Sequence, residues 1–339
     1  DNMITNEIIG VNEELTMNSY GVAKVAYTYK GGLAVKEIRY DDKNNITRAS
    51  AAGDGIAIIR YEYNNKGYEI NRTYYDESDH QINNQSGYQK VVYQYSPADM
   101  LTNVEYFDKD QMPAVDETGI HQYIYERDNK CRVIRKAYFD KNNNPVQDNF
   151  DQVYMIKYKY DEYGRSVSTA YWKDNTTKME RWNGYHENLT KYNDEGQETE
   201  FLYLDQNGNL FKSNSGYSRQ VVSYNADASI AERKYFDNNT PIVLSDGAIK
   251  SIHCIRYAYD ANGRVAYLEY FDGYGNATNA SISLGEVFDC HKIEFVYKGS
   301  RIIQENCYLV NNAAPSKIID CLKSDYVNTN GINTGHKNQ

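Results

Sequence analysis

The chain has 339 residues, a formal net charge of −10 and a pI of about 5.2. This acidic balance argues against nucleic acid or an anionic membrane surface as a partner, because both attract basic surfaces. No apolar run approaches the roughly 18 residues of a membrane span, so no membrane insertion is predicted. Tyrosine is abundant, with 35 Tyr against 9 Phe and 2 Trp, which suits many thin cores in a row better than one large core.

Three segments follow one another along the chain. Residues 1–20 lack a regular pattern and are predicted to form an irregular N-terminal cap. Residues 21–310 repeat one plan, and residues 311–339 read as a polar C-terminal cap or tail. Irregular ends are expected of a repeat array, because the end units must cover an exposed edge.

The repeated segment is marked by a Tyr-x-Tyr pattern, whose second tyrosine we call the anchor. The anchors are Tyr29, Tyr63, Tyr95, Tyr125, Tyr160, Tyr192, Tyr224, Tyr259 and Tyr297. They lie 30 to 38 residues apart, and a second aromatic residue follows 11 residues later in eight of the nine copies. In the remaining copy Tyr138 lies 13 residues after Tyr125. Such constant spacing in a variable sequence indicates a tandem repeat.

Each unit reads as a β-hairpin. Apolar and aromatic residues alternate before the anchor, as in Ile59, Tyr61 and Tyr63, which predicts a strand with one buried face. A turn rich in Asp, Asn and Gly follows, and then a second strand, an Asp-led turn and a connector that ends in Gly-Tyr in several units. The predicted fold is all-β: an elongated, β-solenoid-like tandem hairpin array of nine units of about 30–38 residues.

Two stretches carry a resemblance to a known group of repeats. Tyr158-Lys-Tyr-Asp-Glu-Tyr-Gly-Arg165 and Tyr257-Ala-Tyr-Asp-Ala-Asn-Gly-Arg264 resemble the YD repeats of bacterial Rhs-type proteins. More distantly, the array is similar to the choline- and glucan-binding cell-wall repeats, although Gly-Tyr stands here where those have Gly-Trp. The resemblance implies a bacterial tandem hairpin protein, at the cell surface or secreted.

No catalytic motif accompanies the array, and neither an enzyme, a cofactor nor a metal site is predicted. Asp161, Asp260 and Asp272 fall at turn positions, where the carboxylate caps its own backbone. His186, His253 and His291 all lie six residues before an anchor, and Cys254 and Cys290 adjoin two of them. Packing is the favoured interpretation of this group, with a Cys254–Cys290 disulfide or a metal site as the alternatives.

Aromatic pairs recur at one place in the units, and the two rings of a pair must point to opposite faces of a strand. One ring should therefore pack inside while the other can be exposed and stack on sugar rings. The candidate ligand-binding residues are Tyr75, Phe107, Phe139, Trp172, Trp182, Phe236 and Phe271.

These residues favour a non-enzymatic surface or secreted module that binds a cell-wall or host glycan. The first alternative is a structural stalk, a shell or a fragment of an Rhs-like cage, in which both rings of each pair only stack the units. The second is an accessory repeat region of a wall-polymer transferase. A protein partner remains open in all three interpretations.

Overall fold

The computed structural model describes residues 2–9, 14–49, 54–150, 152–214, 216–244, 249–284 and 286–320. Over these residues the chain forms strands, bridges, turns and bends, with no helix, and none of it could therefore cross a membrane as an apolar helix. Two compact units divide the chain: Asp1–Tyr158 with Tyr171–Met179, and Lys159–Ala170 with Glu180–Gln339. The prediction of an all-β array of tandem hairpins is confirmed.

In the first unit, consecutive strands pair antiparallel from β1 through β10, whose last two residues belong to the second unit. The strands are β1 (Asn2–Glu7), β2 (Lys24–Lys30), β3 (Leu33–Tyr40), β4 (Ile58–Tyr63), β5 (Glu69–Tyr75), β6 (Lys90–Tyr95), β7 (Leu101–Phe107), β8 (Gln122–Arg127), β9 (Val133–Phe139) and β10 (Met155–Tyr160).

The second unit continues the plan with two insertions. Its strands are β11 (Ser166–Trp172), whose last two residues belong to the first unit, β12 (Glu187–Tyr192), β13 (Glu198–Leu204), β14 (Arg219–Tyr224), β15 (Ile230–Asp237), β16 (Thr240–Pro241), β17 (Ile249–Lys250), β18 (Cys254–Tyr259), β19 (Val265–Phe271), β20 (Ala280–Leu284), β21 (Glu286–Cys290), β22 (Lys292–Lys298), β23 (Arg301–Tyr308) and β24 (Lys317–Asp320). β15 pairs with β18 and β19 with β22, while β17, β20 and β21 form a separate three-stranded sheet. The inserted strands lie between Tyr224 and Tyr259 and between Tyr259 and Tyr297, intervals of 35 and 38 residues.

Every hairpin with a described register has a one-residue shift of register at the anchor, and this shift shows that one anchor was assigned to the wrong residue. In hairpin β4–β5 the shift falls between Glu62 and Tyr63, but in β8–β9 it falls between Glu126 and Arg127. Arg127 therefore holds the anchor position, and Tyr125 as anchor was wrong. The pattern misled because Tyr123, Tyr125 and Arg127 alternate in phase, so period two alone could not choose among them.

Hairpins β2–β3 and β22–β23 require a second correction, to the predicted places of Tyr40 and Tyr308. In hairpin β2–β3 the anchor Tyr29 pairs with Ala34, five residues later, whereas in β4–β5 Tyr63 pairs with Glu69, six residues later. Tyr40 consequently faces Lys24, just as Tyr75 faces Ile58. Tyr40 thus corresponds to the second ring of a pair and not to the first, because one residue of shift exchanges the faces of a strand. Tyr308, opposite Lys292 after the same shorter interval, changes place in the same way.

The turns share one local design, which the hairpin around β4 and β5 illustrates. Asn64 Oδ1 accepts from the backbone N–H of Lys66 and Tyr68, both at 3.0 Å, and Gly67 follows with φ 85°. The same geometry recurs at Asp161, Asp260 and Asp272, whose carboxylates each accept from the N–H four residues on. These aspartates are turn residues, as predicted. Glycine recurs in the turns because one turn residue has a positive φ, which glycine adopts without strain.

The chain buries many small clusters. Ile59 and Tyr74 belong to one cluster, while their neighbours Ile58 and Tyr75 belong to another, because adjacent strand residues point to opposite faces. A larger cluster in the second unit includes the fully buried Tyr270. Stability is accordingly local, arising where one hairpin packs on the next.

The two end segments contain strands in the register of the array. Glu7 of β1 faces Lys24 as Thr73 faces Lys90, and Ile9 bridges to Leu15 as Tyr75 bridges to Gln81. At the other end, β24 pairs with β23. Whether residues 1–20 and 311–339 act as caps stays a prediction, and residues 321–339 lie outside the described part of the chain.

Candidate functional site

The first rings of the aromatic pairs stack into a row that we call the tyrosine ladder. In the first unit it runs through Tyr74, Tyr88, Tyr106, Tyr123 and Tyr138, with successive ring centroids 5.7, 4.7, 6.2 and 5.5 Å apart. In the second unit it runs through Tyr185, Tyr203, Tyr217 and Tyr235, at 4.5, 5.5 and 5.1 Å. The tyrosine of Gly-Tyr, as in Tyr88, therefore inserts between the rings of two neighbouring hairpins.

Burial makes three hydroxyls of the ladder poor acids. It raises the pKa of Tyr74, Tyr106 and Tyr123 far above the ordinary tyrosine value. Tyr123 donates to Asp116 Oδ2 at 2.5 Å, and its hydroxyl lies 2.8 Å from Thr118 Oγ1. Buried phenols with raised pKa values suit packing rather than proton transfer.

The seven candidate binding residues occupy three kinds of environment. Tyr75 is 9% exposed and Trp182 is 59% exposed. The half-buried rings are Phe107, Phe139, Trp172, Phe236 and Phe271. Trp182 lies in a turn and not on a strand, so the structure does not place it in the row of the other six.

Cations of the same hairpin cover several of these rings. Arg60 Cζ lies 4.4 Å from the Tyr75 centroid, Lys157 Nζ lies 3.7 Å from the Trp172 centroid, and Arg256 Cζ lies 4.0 Å from the Phe271 centroid. Each cation stands three residues before its anchor, a periodic signal that the sequence analysis missed. Cation–π pairing at these distances is favourable and occupies the face that a sugar would need.

Imidazoles of the following hairpin contact three of the candidate rings edge-on. The ring pairs are Phe107–His121, Phe236–His253 and Phe271–His291, at 5.6, 5.0 and 5.8 Å and nearly perpendicular. With Arg127 as anchor, His121 also lies six residues before its anchor, so it belongs to the predicted histidine row and was overlooked only because Tyr125 was chosen.

Two of these histidines have backbone partners. His121 Nδ1 lies 2.9 Å from the carbonyl oxygen of Ala114, and His291 Nδ1 lies 3.0 Å from that of Tyr270. Burial lowers the pKa of His253, an effect opposed by the backbone carbonyls of Tyr235 and Ile242. No group of three or more metal-binding side chains forms within the described ranges. The row therefore has the chemistry of packing.

The buried thiols pair differently from the predicted Cys254–Cys290 alternative. Cys290 and Cys307 are both fully buried in one cluster, and a hydrogen bond between their side chains together with burial raises the pKa of Cys307. Cys254 is buried beside Glu232, and burial raises its pKa to about 11. All three are free thiols, and the raised pKa values of Cys254 and Cys307 are the opposite of what a reactive cysteine needs.

A further row links successive hairpins, and we call it the anchor clasp. The anchor side chain donates to the carbonyl oxygen of the residue that pairs with the preceding anchor. The donors and acceptors are Tyr63 to Ala34 (2.7 Å), Tyr95 to Glu69 (2.9 Å), Tyr192 to Ser166 (3.0 Å), Tyr224 to Glu198 (2.7 Å), Tyr259 to Ile230 (3.0 Å) and Tyr297 to Val265 (2.9 Å). Arg127 makes the equivalent bond through Nε to Leu101, at 3.3 Å. This bond was not predicted from the sequence. The recurrence of Tyr at the anchor was the signal that could have indicated it.

These features define a tandem β-hairpin repeat protein. No protein-family model and no curated protein matches the sequence. Among solved structures it is similar to chains of a mutant Photorhabdus luminescens Tc holotoxin pore (11% identity, TM-score 0.30), of a TcdB2-TccC3-Cdc42 complex (13%, 0.30) and of TcdB2-TccC3 (13%, 0.29). The likeness covers 86–88% of this chain but only 16–17% of those chains. A likeness at this level leaves the function to be argued from the geometry of the chain itself.

Proposed function

We propose that this chain is a non-enzymatic structural segment, a wall or scaffold built by stacking hairpins, which is the first alternative of the sequence analysis. The observation that carries the proposal is the cover over the second rings of the pairs. Arg60, Lys157 and Arg256 lie over three of them, and imidazoles of the next hairpin lie against Phe107, Phe236 and Phe271. Rings held in this way join hairpins to one another and leave little face for a ligand.

The anchor clasp supports the same function. A hydroxyl-to-carbonyl bond between neighbouring hairpins recurs at six described anchors, and Arg127 replaces it at a seventh. Each bond joins one hairpin to the preceding hairpin at the position of that hairpin's register shift. A segment whose repeated side chains serve this purpose is suited to holding a shape rather than to binding and releasing a ligand.

Retention on glycans tests the proposal. The full chain would be passed over immobilised wall polymers and a panel of host glycans, beside the Trp172→Ala and Trp182→Ala variants. A scaffold is retained no more strongly than on the same support without glycan. Trp172→Ala should lower thermal stability, because it empties a half-buried site under Lys157. Retention that Trp172→Ala abolishes, with circular dichroism unchanged, would contradict the proposal.

Glycan recognition is the second candidate, and the exposure of Trp182 favours it. This ring is 59% exposed, with the guanidinium of Arg181 5.9 Å from its centroid. An open indole beside a cation can stack on a sugar ring. In this case Trp182→Ala, and not Trp172→Ala, removes the retention. A glycan partner and a location at the cell surface or outside the cell belong to this candidate and stay predictions.

A further inference from the structure

Two buried thiols meet inside the cluster of the second unit that contains Tyr270. Cys290 ends β21, Cys307 is the last residue but one of β23, and both residues are fully buried. The Cys290 thiol donates to the carbonyl oxygen of Lys292 at 3.0 Å, and a hydrogen bond joins the side chains of Cys290 and Cys307. Since the Cys290 proton is already donated, its sulfur accepts from Cys307, and the two sulfurs are direct neighbours.

The backbone holds the two cysteines side by side. His291, the residue after Cys290, donates its N–H to the carbonyl oxygen of Tyr308 at 2.7 Å. Tyr308 in turn follows Cys307. A disulfide needs Cα atoms within about 7 Å and an S–S bond of about 2.05 Å. Thiols that already touch, on backbones joined in this way, can reach that bond chiefly by rotation of their side chains.

Two other described cysteines have different surroundings. Cys254 lies in β18 beside Glu232, and Cys131 is exposed in a turn. The fold therefore brings Cys290 to Cys307, which is not the partner that the sequence analysis weighed for it.

We propose that Cys290 and Cys307 form a disulfide when the chain meets an oxidising pool of small disulfides, such as glutathione disulfide. One cysteine, as the thiolate, attacks the small disulfide, forms a mixed disulfide and releases one small thiol. The second cysteine then attacks the mixed disulfide, forms the bond between the two cysteines and releases the other small thiol. The two cysteines lose two electrons and two protons, which leave on the two small thiols. This inference does not depend on the proposed scaffold function.

Burial keeps the pair unreactive while this part of the chain stays closed. The hydrogen bond from Cys290, together with burial, raises the pKa of Cys307, so little of its thiolate is present near neutral pH. Exchange should therefore proceed during folding or through local opening of the cluster, and it should be slow in the folded chain. Once the bond has formed, the same burial should protect it from reduction.

The bond would join the inserted sheet to the array. Strand β21 belongs to the three-stranded sheet with β17 and β20, whereas β23 pairs with β22 and β24. The loop closed between Cys290 and Cys307 contains β22 and most of β23. A disulfide that closes a loop of this length should raise the melting temperature by several degrees, because it restricts the unfolded chain.

Disulfide mapping after controlled oxidation is the direct test. The full chain with Cys131→Ser, which removes the exposed thiol, would be refolded into glutathione buffers, alkylated and digested without reduction. Linked peptides that contain Cys290 and Cys307 should be the main product. The same oxidation in denaturant is the control. Cys321, outside the described residues, lies 14 residues after Cys307, whereas Cys290 lies 17 residues before it, so the unfolded chain should pair Cys307 with Cys321 at least as readily.

Melting temperature provides the second measurement. Oxidation should raise it by several degrees in the Cys131→Ser chain, and the further substitution Cys290→Ala should remove this rise. Cys254→Ala is the matched control, because it replaces another buried thiol and should leave the rise intact. The mapping needs no substitution inside the cluster, so it holds even where a variant fails to fold. Thiols that stay free after refolding, a main link from Cys290 or Cys307 to another cysteine, or the same pairings in the folded and denatured chain would overturn the proposal.

Discussion

The anchor clasp makes a prediction that separates an inter-hairpin bond from aromatic packing. Tyr95→Phe keeps the ring and deletes the hydroxyl that donates to the carbonyl oxygen of Glu69 at 2.9 Å. A neutral hydrogen bond of this kind contributes about 1 kcal/mol net, and the half-buried site lets water reach the carbonyl, so the cost should not greatly exceed that. The effect should concentrate where β5 meets β6.

Hydrogen exchange followed by mass spectrometry is the suitable assay, because an array need not unfold in a single step. Peptides covering β5 and β6 should exchange about fivefold faster, the factor that corresponds to about 1 kcal/mol. Tyr68→Phe is the matched control: its ring stacks on Tyr95 at 5.3 Å, but its hydroxyl makes no hydrogen bond to the described residues. Equal acceleration in both variants would refute the clasp as a source of stability.

Three further predictions follow from the same positions. Arg127→Tyr should keep or raise stability, because a tyrosine there can restore the hydroxyl bond to Leu101; a loss of several degrees in melting temperature would argue against Arg127 as the anchor. His253→Gln, which copies Gln89 at the equivalent place, should flatten the pH dependence of stability. The pKa of His253 is lowered by burial, so the unfolded chain binds more protons and wild-type stability should fall as pH drops below about 6.5, the ordinary histidine value; an equally steep fall in the variant would count against this cause. Tyr270→Phe should be neutral or stabilising in thermal melts, because the Tyr270 hydroxyl is buried without a hydrogen-bond partner among the described residues; clear destabilisation would reveal a partner.

Period and turn chemistry were enough to predict the hairpins. The Asx-led turns depend on Asn64 and its equivalents bonding to their own backbone, which is a local effect that a sequence displays directly. The anchor position of the fourth repeat could not be predicted from such local chemistry. Tyr125 and Arg127 point to the same face, and only the position of the register shift distinguishes them.

The candidate site was harder to predict because its environment is made by neighbouring hairpins. That Phe107 meets His121, or that Tyr88 stacks between Tyr74 and Tyr106, depends on how one unit packs against the next. Alternation assigns a ring to one face of a strand, but it does not say whether another part of the chain covers that face. The cations three residues before the anchors were a visible signal, and they could have been recognised as cover for the rings.

The same geometry explains why a repeated aromatic position need not be a repeated binding site. A sugar that stacked on Phe271 would have to displace Arg256 at 4.0 Å, next to the edge-on contact with His291. A ligand that spanned several units would lose cation–π energy at each ring that a cation covers, so multivalency would multiply the cost together with the gain. Trp182 carries no such cost, since its ring is open and stands in a turn. If the proposed scaffold function holds, binding at this one turn is compatible with it, whereas binding along the whole row would compete with the contacts that join the hairpins.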